Sequence, residues 1–387
     1  MNKPVLSIVI PYKQRLQTLK PVLRSLAEQT LDRAKFEVVL GVLEHDPEFA
    51  ALCREYTGKM KVLSVQVEED WNTSRATNLG IRQASGEIIC LVDADVVLAP
   101  TALQTLCDRY FRHGHNICAM GQVLGYEEVV PTEVGDVEVR PFEHYRKVLE
   151  ELATADRVKL DPRFSAEYAS AYARYPWAFA RTGLMALPAE TIRRHDLMLD
   201  EGFVSWGPED QEWALRISRS GTPLVLAHDV YGIHLPHRRD QAAQDVSASI
   251  TNRYYLAKWP RLDLELALTF GGWVEIDAIC PEIERELAGV APGGSLGLVR
   301  GKIDGIPTLV VGAVLDGQAE LDDPELGEWF DCRSELEVIP LVGFAMPFED
   351  RFFEECRVLA PIPKLSEKYR EAVYREANRV SRKLVTA

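Results

Sequence analysis

Two aspartates stand one residue apart directly after a buried apolar run. Asp93 and Asp95 flank Ala94, and residues 87–92 before them have the nearly continuous apolar character of a strand covered on both faces. An open α/β sheet places its ligand site at the carboxyl ends of its strands, so the two carboxylates can converge on one point there. Such a pair offers hard oxygen ligands to Mg²⁺ or Mn²⁺, and a cation held there can neutralise a leaving diphosphate. The alternative is a solvated loop that carries two acidic side chains.

A second acidic pair opens a predicted helix. The segment Trp206-Gly207-Pro208-Glu209-Asp210 leads into a helical pattern that begins near Glu209. Acidic residues are favoured at a helix N-terminus, so capping explains one carboxylate. It explains less readily the second acid and the preceding Trp-Gly. A carboxylate beside an aromatic ring suits a general base that faces a sugar hydroxyl, with Trp206 stacked on the sugar ring.

Two histidines and two arginines follow a later predicted strand. His234 and His237 are three residues apart with a proline between them, and neutral imidazole is a better ligand for Mn²⁺ than for Mg²⁺. Arg238 and Arg239 are candidates for contact with phosphate oxygens, although solvated surface is the usual role of such residues.

The turn after the first predicted strand excludes several nucleotide-binding folds. This turn, Pro11-Tyr12-Lys13-Gln14-Arg15, contains no glycine. A dinucleotide-binding turn needs glycines so that the backbone can approach a pyrophosphate, and a P-loop needs glycine with Lys-Ser/Thr. The turn also disfavours sugar-nucleotide-forming nucleotidyltransferases, which usually have a glycine-rich loop here.

Charge and apolar patterning limit the partners and the location. The 387 residues carry a formal net charge of −15 at pH 7, which disfavours a nucleic-acid partner. The N-terminal apolar run is broken by Pro11 and is too short for a signal peptide, and no stretch approaches the roughly 18 to 20 apolar residues that span a bilayer. The seven cysteines have no CxxC spacing, which disfavours a zinc cluster and fits reduced thiols. We therefore expect a cytoplasmic protein without an integral membrane segment.

The elements that must hold these residues alternate between strand and helix. Strands are predicted at 5–10, 36–43, 61–67 and 87–92, with helices at 16–26, 47–56 and 74–84 between them. Farther along, 178–187 is predicted as strand and turn, 209–220 and 242–258 as helices, and 223–228 as a strand. This alternation is typical of an α/β protein with a mainly parallel twisted sheet and covering helices.

A change of character near residue 262 predicts two domains. Residues 1–262 form the α/β domain, in which 121–176 is an insertion with a helix near 144–152. Residues 263–387 form a small α+β domain of unknown role. Its predicted strands are 298–303, 308–315 and 335–342, and its terminal helix is 369–384.

The order of these motifs resembles the family 2 glycosyltransferases of the GT-A fold over about residues 5–260. The segments that carry the resemblance are Val9-Ile10-Pro11-Tyr12, the stretch from Asn72 to Ile81, Ala84-Ser85-Gly86-Glu87, and the stretch from Leu91 to Asp95. The motif at 206–210 also resembles the acceptor motif of galactosyltransferases and chondroitin-polymerase-like enzymes, which carry a metal histidine where His234 lies. The family usually has paired aspartates at the end of its second strand, and Glu44 or Asp46 is the expected substitute here.

The resemblance implies an inverting transfer of a sugar from a nucleotide-diphosphate donor, with a UDP-sugar favoured, to an acceptor hydroxyl. It implies that Asp95 and His234, with His237 as a substitute, hold Mn²⁺ or Mg²⁺ on the donor diphosphate. It also implies that Asp210 takes the acceptor proton and that Glu209 hydrogen-bonds the acceptor. The expected nucleotide-sugar-binding residues are Pro11, Tyr12, Arg15, Glu44, Arg75, Asn78, Asp93, Ala94 and Trp206.

The acceptor and two competing functions stay open at this point. The acceptor is a saccharide, a natural product or a peptide, with residues 121–176 expected on the acceptor side. A retaining glycoside hydrolase also needs two carboxylates, about 5 Å apart, but neither a metal nor a nucleotide. A non-catalytic sugar-nucleotide-binding module is the third possibility, against which the complete set of acidic and histidine motifs argues.

Overall fold

The computed structural model describes residues 3–125, 138–154, 161–237, 241–332 and 335–386. The chain divides into two units, Met1–Thr251 and Asn252–Ala387. The predicted domain boundary near residue 262 stays a prediction.

The first unit is built from alternating strands and helices. Its strands are β1 (Leu6–Tyr12), β2 (Phe36–Val42), β3 (Lys61–Gln66), β4 (Ile88–Val92), β5 (Val96–Leu98), β6 (Cys118–Leu124), β7 (Leu184–Pro188) and β8 (Leu224–His234). Its helices are α1 (Leu16–Ala27), α2 (Pro47–Arg54), α3 (Thr73–Gln83), α4 (Ala102–Thr105), α5 (Phe142–Thr154), α6 (Ala169–Arg174), α7 (Ala189–Arg194) and α8 (Glu209–Arg219). The next helix, α9 (Gln241–Lys258), begins in the first unit and ends in the second.

The described strands of this unit form one sheet in the order β3-β2-β1-β4-β7-β6-β8-β5. The pairs β1–β2, β2–β3, β1–β4 and β6–β8 are parallel, whereas β4–β7, β6–β7 and β5–β8 are antiparallel. Every residue of β1, β2 and β4 is buried, as expected for strands covered on both faces. The predicted α/β class with a mainly parallel sheet is confirmed.

Two glycines let α3 lie directly on the sheet. A Cβ on Gly41 of β2 would lie 1.8 Å from the carbonyl oxygen of Ala76, and a Cβ on Gly80 would lie 2.5 Å from Cγ1 of Val9. Because both positions lack a side chain, the helix backbone packs close to β1 and β2. This close packing fixes the helix that carries Arg75, one of the predicted nucleotide contacts.

The structure contains elements in the first unit that the sequence pattern did not predict. No strand was expected at β5 or β6, and β8 was expected to end at residue 228 rather than at His234. The pairing of β8 with β6 shifts register between Gly121 and Gln122, so an irregularity interrupts the alternation that would have marked a longer strand. Within 121–176, the described residues include the end of β6, α5 and α6, while 126–137 and 155–160 lie outside the described part.

The second unit contains a smaller mixed sheet. Its elements are α10 (Leu262–Phe270), α11 (Trp273–Val290), β9 (Ser295–Ile303), β10 (Ile306–Leu315), α12 (Pro324–Glu328), β11 (Glu337–Ile339), β12 (Phe353–Val358), α13 (Glu367–Val380) and β13 (Ser381–Thr386). Its described strands are ordered β11-β9-β10-β12-β13. Across the described parts of both units, no helix combines the length and apolarity needed to cross a bilayer.

The predicted terminal helix at 369–384 is wrong at its C-terminal end. The helix stops at Val380, and β13 pairs in parallel with β12. Arg382 and Lys383 form ion pairs with Glu354 and Glu355 of β12, at 3.1 and 2.7 Å. These partners are distant in sequence. The local charge pattern is equally compatible with a helix, so it did not predict the strand.

Candidate active site

The pairing of β5 with β8 brings one aspartate and two histidines together. Asp95 directly precedes β5, and Val96 lies opposite His234 in the antiparallel register. The N–H of Leu235 donates to the carbonyl oxygen of Asp95 at 2.7 Å, which extends the pairing by one step. Oδ1 of Asp95 lies 3.6 Å from Nε2 of His234, and Oδ2 lies 3.3 Å from Nε2 of His237.

The cluster of Asp95, His234 and His237 has the donor atoms of a cation site. One oxygen and two nitrogens lie within 4.8 Å of one another, and none of the three side chains is more than 13% exposed. The two imidazole rings are 5.1 Å apart between centroids. Two imidazoles and one carboxylate suit a transition cation such as Mn²⁺ better than Mg²⁺. The residues present therefore fit a divalent cation, and both His234 and His237 lie beside the carboxylate of Asp95.

A glycine in β8 is needed for this arrangement. A Cβ on Gly232 would lie 2.8 Å from the carbonyl oxygen of Val97 and 2.9 Å from Cγ1 of Val96. Any side chain there would push β8 away from β5. The spacing between Asp95 and His234 therefore depends on Gly232.

Arg15 shares the carboxylate of the cluster. Its Nη1 lies 3.4 Å from Oδ2 of Asp95, the same oxygen that faces His237. The preceding residue, Gln14, has a positive φ of 53°, and its N–H donates to Oε1 of Glu44 at 2.8 Å. The hydrogen bond from Gln14 to Glu44 thus stabilises the turn that places Arg15 beside the cluster.

Glu209 and Asp210 open α8 and are both partly buried. Oδ1 of Asp210 accepts a hydrogen bond of 2.7 Å from the N–H of Gln211, whereas Oε2 of Glu209 is enclosed without a hydrogen-bond partner among the described residues. Burial raises the pKa of Glu209 well above its usual range, and the charges of Asp210 and Asp93 raise it further. The start of α8 and the acidic pair after β4 therefore lie within electrostatic range of each other.

Two arginines that the sequence analysis did not identify act on Asp210. Burial raises the pKa of Asp210, and the positive charges of Arg181 and Arg163 oppose that rise. Arg163 is buried, with its Nε 2.9 Å from Oδ2 of Asp161 and its Nη1 2.7 Å from the carbonyl oxygen of Phe179. Both arginines are far from α8 in sequence, so no local spacing could have marked them.

Trp206 presents its indole to solvent while α9 holds its backbone. The residue is 52% exposed, and its carbonyl oxygen accepts hydrogen bonds from the hydroxyls of Ser247 and Thr251. A Cβ on Gly207 would lie 2.1 Å from Oγ1 of Thr251, so glycine is required where this loop meets α9. An exposed ring on a fixed backbone suits the stacking role predicted for it.

Arg75 and Asn78, the residues of α3 predicted to bind the nucleotide, contact other parts of the chain. Arg75 donates from Nε and Nη2 to both carboxylate oxygens of Glu69, at 2.9 and 3.0 Å, and its Nη1 lies 3.6 Å from Glu201. Asn78 is buried, and its Nδ2 donates to the carbonyl oxygen of Leu199 and to Oε1 of Glu201. Asn78 therefore positions the loop at 199–201 in this structure, and its direct contact with a nucleotide stays a prediction.

The ends of β1 and β2 surround the predicted base contact. Tyr12 is buried, with its ring stacked on Phe49 at 4.6 Å between centroids. Burial and the charges of Glu44 and Asp46 raise the pKa of Tyr12. Oδ1 of Asp46 caps α2 by accepting the N–H of Glu48 at 2.8 Å. Of the two expected substitutes for the paired aspartates, Asp46 is thus the helix cap and Glu44 the holder of the first turn.

The remaining predicted residues differ in what they can offer a ligand. Pro11 and Ala94 are buried, so their apolar side chains belong to the core. Arg238 and Arg239 lie outside the described residues. The structure thus groups Asp95, His234, His237 and Arg15 by direct contact.

Residues 7–158 match the family model described as Glycosyl transferase family 2. The matched segment contains the first turn and Asp93-Ala94-Asp95, whereas α8 and both histidines lie beyond it. Validoxylamine A glucosyltransferase of Streptomyces hygroscopicus subsp. jinggangensis (strain 5008) is 24% identical over 420 aligned residues, which cover 99% of this chain and 96% of that protein.

Two solved structures are similar to this chain at lower identity. S. aureus TarS 1–349 in complex with UDP-GlcNAc is 15% identical, with a TM-score of 0.44 over 67% of this chain and 66% of that chain. Mannosyltransferase PcManGT from Pyrobaculum calidifontis, in complex with GDP-Man and Mn²⁺, is 18% identical, with a TM-score of 0.45 over 75% of this chain and 76% of that chain.

Proposed function

We propose that this glycosyltransferase, whose residues 7–158 match the family 2 model and which aligns over nearly its whole length with a glucosyltransferase, is a metal-dependent, inverting enzyme of the GT-A fold. It moves a sugar from a nucleotide-diphosphate donor, UDP-sugar by preference, to a hydroxyl group of a saccharide or another natural product. The glycosyltransferase domain expected from the sequence is confirmed for residues 7–158, whereas the metal, the stereochemistry and the acceptor belong to this proposal.

The contact of Asp95 with His234 and His237 carries the proposal. These side chains come from two segments far apart in sequence, and both imidazoles lie against the same carboxylate. Asp93, two residues before Asp95, acts electrostatically on Glu209. A cation on the cluster and a base at the start of α8 would therefore serve the same substrates.

The transfer is a single displacement in which the acceptor oxygen attacks the anomeric carbon of the sugar. As the new carbon–oxygen bond forms on one face, the bond to the diphosphate breaks on the other, and the configuration inverts. Asp210 accepts the proton of the attacking hydroxyl, which contributes about 10²- to 10⁴-fold in rate. Glu209 hydrogen-bonds the acceptor, and Trp206 stacks on its ring.

The diphosphate leaves from the side of the cluster. Asp95, His234 and His237 would hold a divalent cation there, whose charge would neutralise the departing diphosphate. Asp93, Arg15 and Arg75 orient the nucleotide. The two imidazole donors favour Mn²⁺ over Mg²⁺.

The full-length relative supports a choice of donor and acceptor. Its name gives glucose as the transferred group and validoxylamine A as the acceptor, and it aligns over nearly the whole of both chains. UDP-glucose and a small natural product are therefore the first substrates to test. A peptide acceptor with the same mechanism is the second candidate.

A thermal-shift screen of nucleotide sugars with Mn²⁺ tests the proposal. A donor that binds the folded state raises its stability by mass action, by about 2.7 kcal/mol at 100 times its Kd. We expect UDP-glucose with Mn²⁺ to raise the melting temperature more than either alone, and transfer assays to yield a product of inverted configuration.

Two outcomes would contradict this assignment. Retention of configuration would exclude the single displacement. Absence of any nucleotide-sugar binding, together with hydrolysis of glycosides, would favour the glycoside hydrolase alternative.

A further inference from the structure

Arg15 lies where a cation on the cluster would place its own charge. The distance from Nη1 of Arg15 to Oδ2 of Asp95 is 3.4 Å, and the distance from that oxygen to Nε2 of His237 is 3.3 Å. A guanidinium and a divalent cation repel each other at such range. Full coordination by Asp95 therefore requires the guanidinium to move away.

The chain fixes the backbone of Arg15 but leaves its guanidinium able to move. The carbonyl oxygen of Arg15 accepts the N–H of Leu19 at 2.9 Å and the hydroxyl of Thr18 at 3.0 Å, which anchors it at the start of α1. Its side chain is 38% exposed, whereas that of Asp95 is 10% exposed. An arginine so anchored can change rotamers without disturbing the turn.

A diphosphate on the cation would give the guanidinium a second anionic partner close by. The planar fork of arginine matches the spacing of phosphate oxygens and binds them bidentately. Since Arg15 starts within 3.4 Å of the carboxylate that would hold the cation, its reach includes the oxygens of a diphosphate on that cation.

We propose that Arg15 is an exchangeable counter-ion, which neutralises Asp95 until a divalent cation takes its place and then binds the donor diphosphate. This inference rests on the proposed function and adds to it a thermodynamic coupling between cation binding and nucleotide binding. Cation binding alone must break the pair between Arg15 and Asp95, whereas cation and nucleotide together restore a partner to Arg15. The two ligands therefore strengthen each other's binding, and reciprocally so.

Calorimetric titration of Mn²⁺ into the nucleotide-free protein tests the exchange. We expect Arg15→Gln to bind Mn²⁺ about two- to fivefold more tightly than wild type, since partly exposed ion pairs of this kind are worth up to about one kilocalorie per mole. The same variant should bind UDP at saturating Mn²⁺ about tenfold more weakly, because a charged hydrogen bond is lost. Misfolding would not raise the affinity for Mn²⁺ while it lowers the affinity for UDP.

Two control variants separate charge from structure. Arg24→Gln removes a positive charge from α1, the helix that follows Arg15, where Arg24 pairs with Glu28 at 2.7 Å. It should leave Mn²⁺ affinity unchanged. Arg15→Lys keeps the charge and should stay closer to wild type in Mn²⁺ affinity, while losing the bidentate contact with the diphosphate.

The outcomes distinguish this inference from the function beneath it. Mn²⁺ affinity in Arg15→Gln that equals or falls below wild type overturns the exchange, even if the enzyme is metal-dependent. Full transfer activity in EDTA, with no Mn²⁺ binding by wild type or variant, overturns the metal-dependent function as well as the exchange.

Discussion

At the residue scale, two adjacent carboxyl groups at the start of α8 have different electrostatic surroundings. Glu209 faces the negative charges of Asp210 and Asp93, which favour its protonated form, whereas Asp210 is near Arg181 and Arg163, which favour its ionised form. Two carboxyl groups whose pKa values are driven apart can divide the work of base and hydrogen-bond donor. This difference supports the proposed role of Asp210 as the base.

Asp210→Asn should lower kcat by about 10²- to 10⁴-fold, because the acceptor hydroxyl loses its base. UDP binding in the presence of Mn²⁺ should stay unchanged, which calorimetry can measure. Glu209→Gln is the matched control, since a neutral amide resembles a protonated carboxyl group, and it should cost much less than Asp210→Asn. A fully active Asp210→Asn enzyme would exclude Asp210 as the base.

The acidic limb of the pH–rate profile should depend on Arg181. The base works when ionised, so kcat/KM should fall as the pH drops below the raised pKa of Asp210. The charge of Arg181 lowers that pKa, so Arg181→Gln should move the acidic limb to higher pH. Steady-state rates between pH 5 and 9 would show the shift, and Arg219→Gln, an exposed charge change at the far end of α8, should not. An unmoved limb in Arg181→Gln would mean that another group titrates.

Residue types predicted part of the site and missed another part. Asp93 and Asp95 are close in sequence, as are His234 and His237, so the members of each pair lie near each other in any fold. Their spacing therefore identified them as candidates. Arg163 and Arg181 reach Asp210 only through the fold, so no local pattern marked them. The sequence also gave no sign that Asn78 would satisfy its hydrogen bonds within the protein.

At the element scale, the pairing of β5 with β8 sets the geometry of the cluster. Gly232→Ala should separate these strands, because the added Cβ would lie 2.8 Å from the carbonyl oxygen of Val97. We expect Mn²⁺ affinity to fall about tenfold or more, as it does when residues that position a metal ligand are changed. We also expect a loss of stability of about 1–3 kcal/mol.

Gly289→Ala is the control for this substitution. Gly289 lies near the end of α11, and a Cβ there would meet no atom within 4 Å. It should leave Mn²⁺ affinity unchanged and keep or slightly raise stability. Equal Mn²⁺ affinity in Gly232→Ala and wild type would show that the cluster does not depend on this strand pairing.

Elements with strong local patterns were predicted, and those defined by distant partners were not. The apolar runs of β1, β2 and β4 are visible in the sequence because these strands are buried along their length. The helical spacing of α1 is visible because one face of this helix is buried. β5 has only three residues and exists through its pairing with β8. β13 follows α13 directly and is a strand because its backbone pairs in parallel with β12.

At the scale of the whole molecule, the second unit depends on a buried carboxylate. Glu265 is fully buried, and its carboxylate accepts hydrogen bonds from the N–H groups of Val342, Gly343 and Phe344 at 2.8, 2.7 and 3.0 Å. Glu265→Ala would leave these donors without a partner, at about 1–3 kcal/mol each. We expect chemical denaturation to show a loss of about 3 kcal/mol or more.

Hydrogen exchange locates this effect within the chain. Loss of protection in Glu265→Ala should concentrate in residues 252–387, since the second unit has its own sheet. Glu371→Ala, on the exposed side of α13, should change neither measurement. Uniform loss of protection along both units would show that they unfold as one.

The attachment of α3 to Glu201 bears on the order in which substrates enter. Asn78 and Arg75 hold the loop at 199–201, which leads within five residues to Trp206. A nucleotide that draws Arg75 away from Glu201 would thereby change the position of Trp206, the proposed stacking partner of the acceptor. The enzyme should then follow a compulsory sequence with the donor first, so that initial-rate lines intersect and UDP competes with the donor alone.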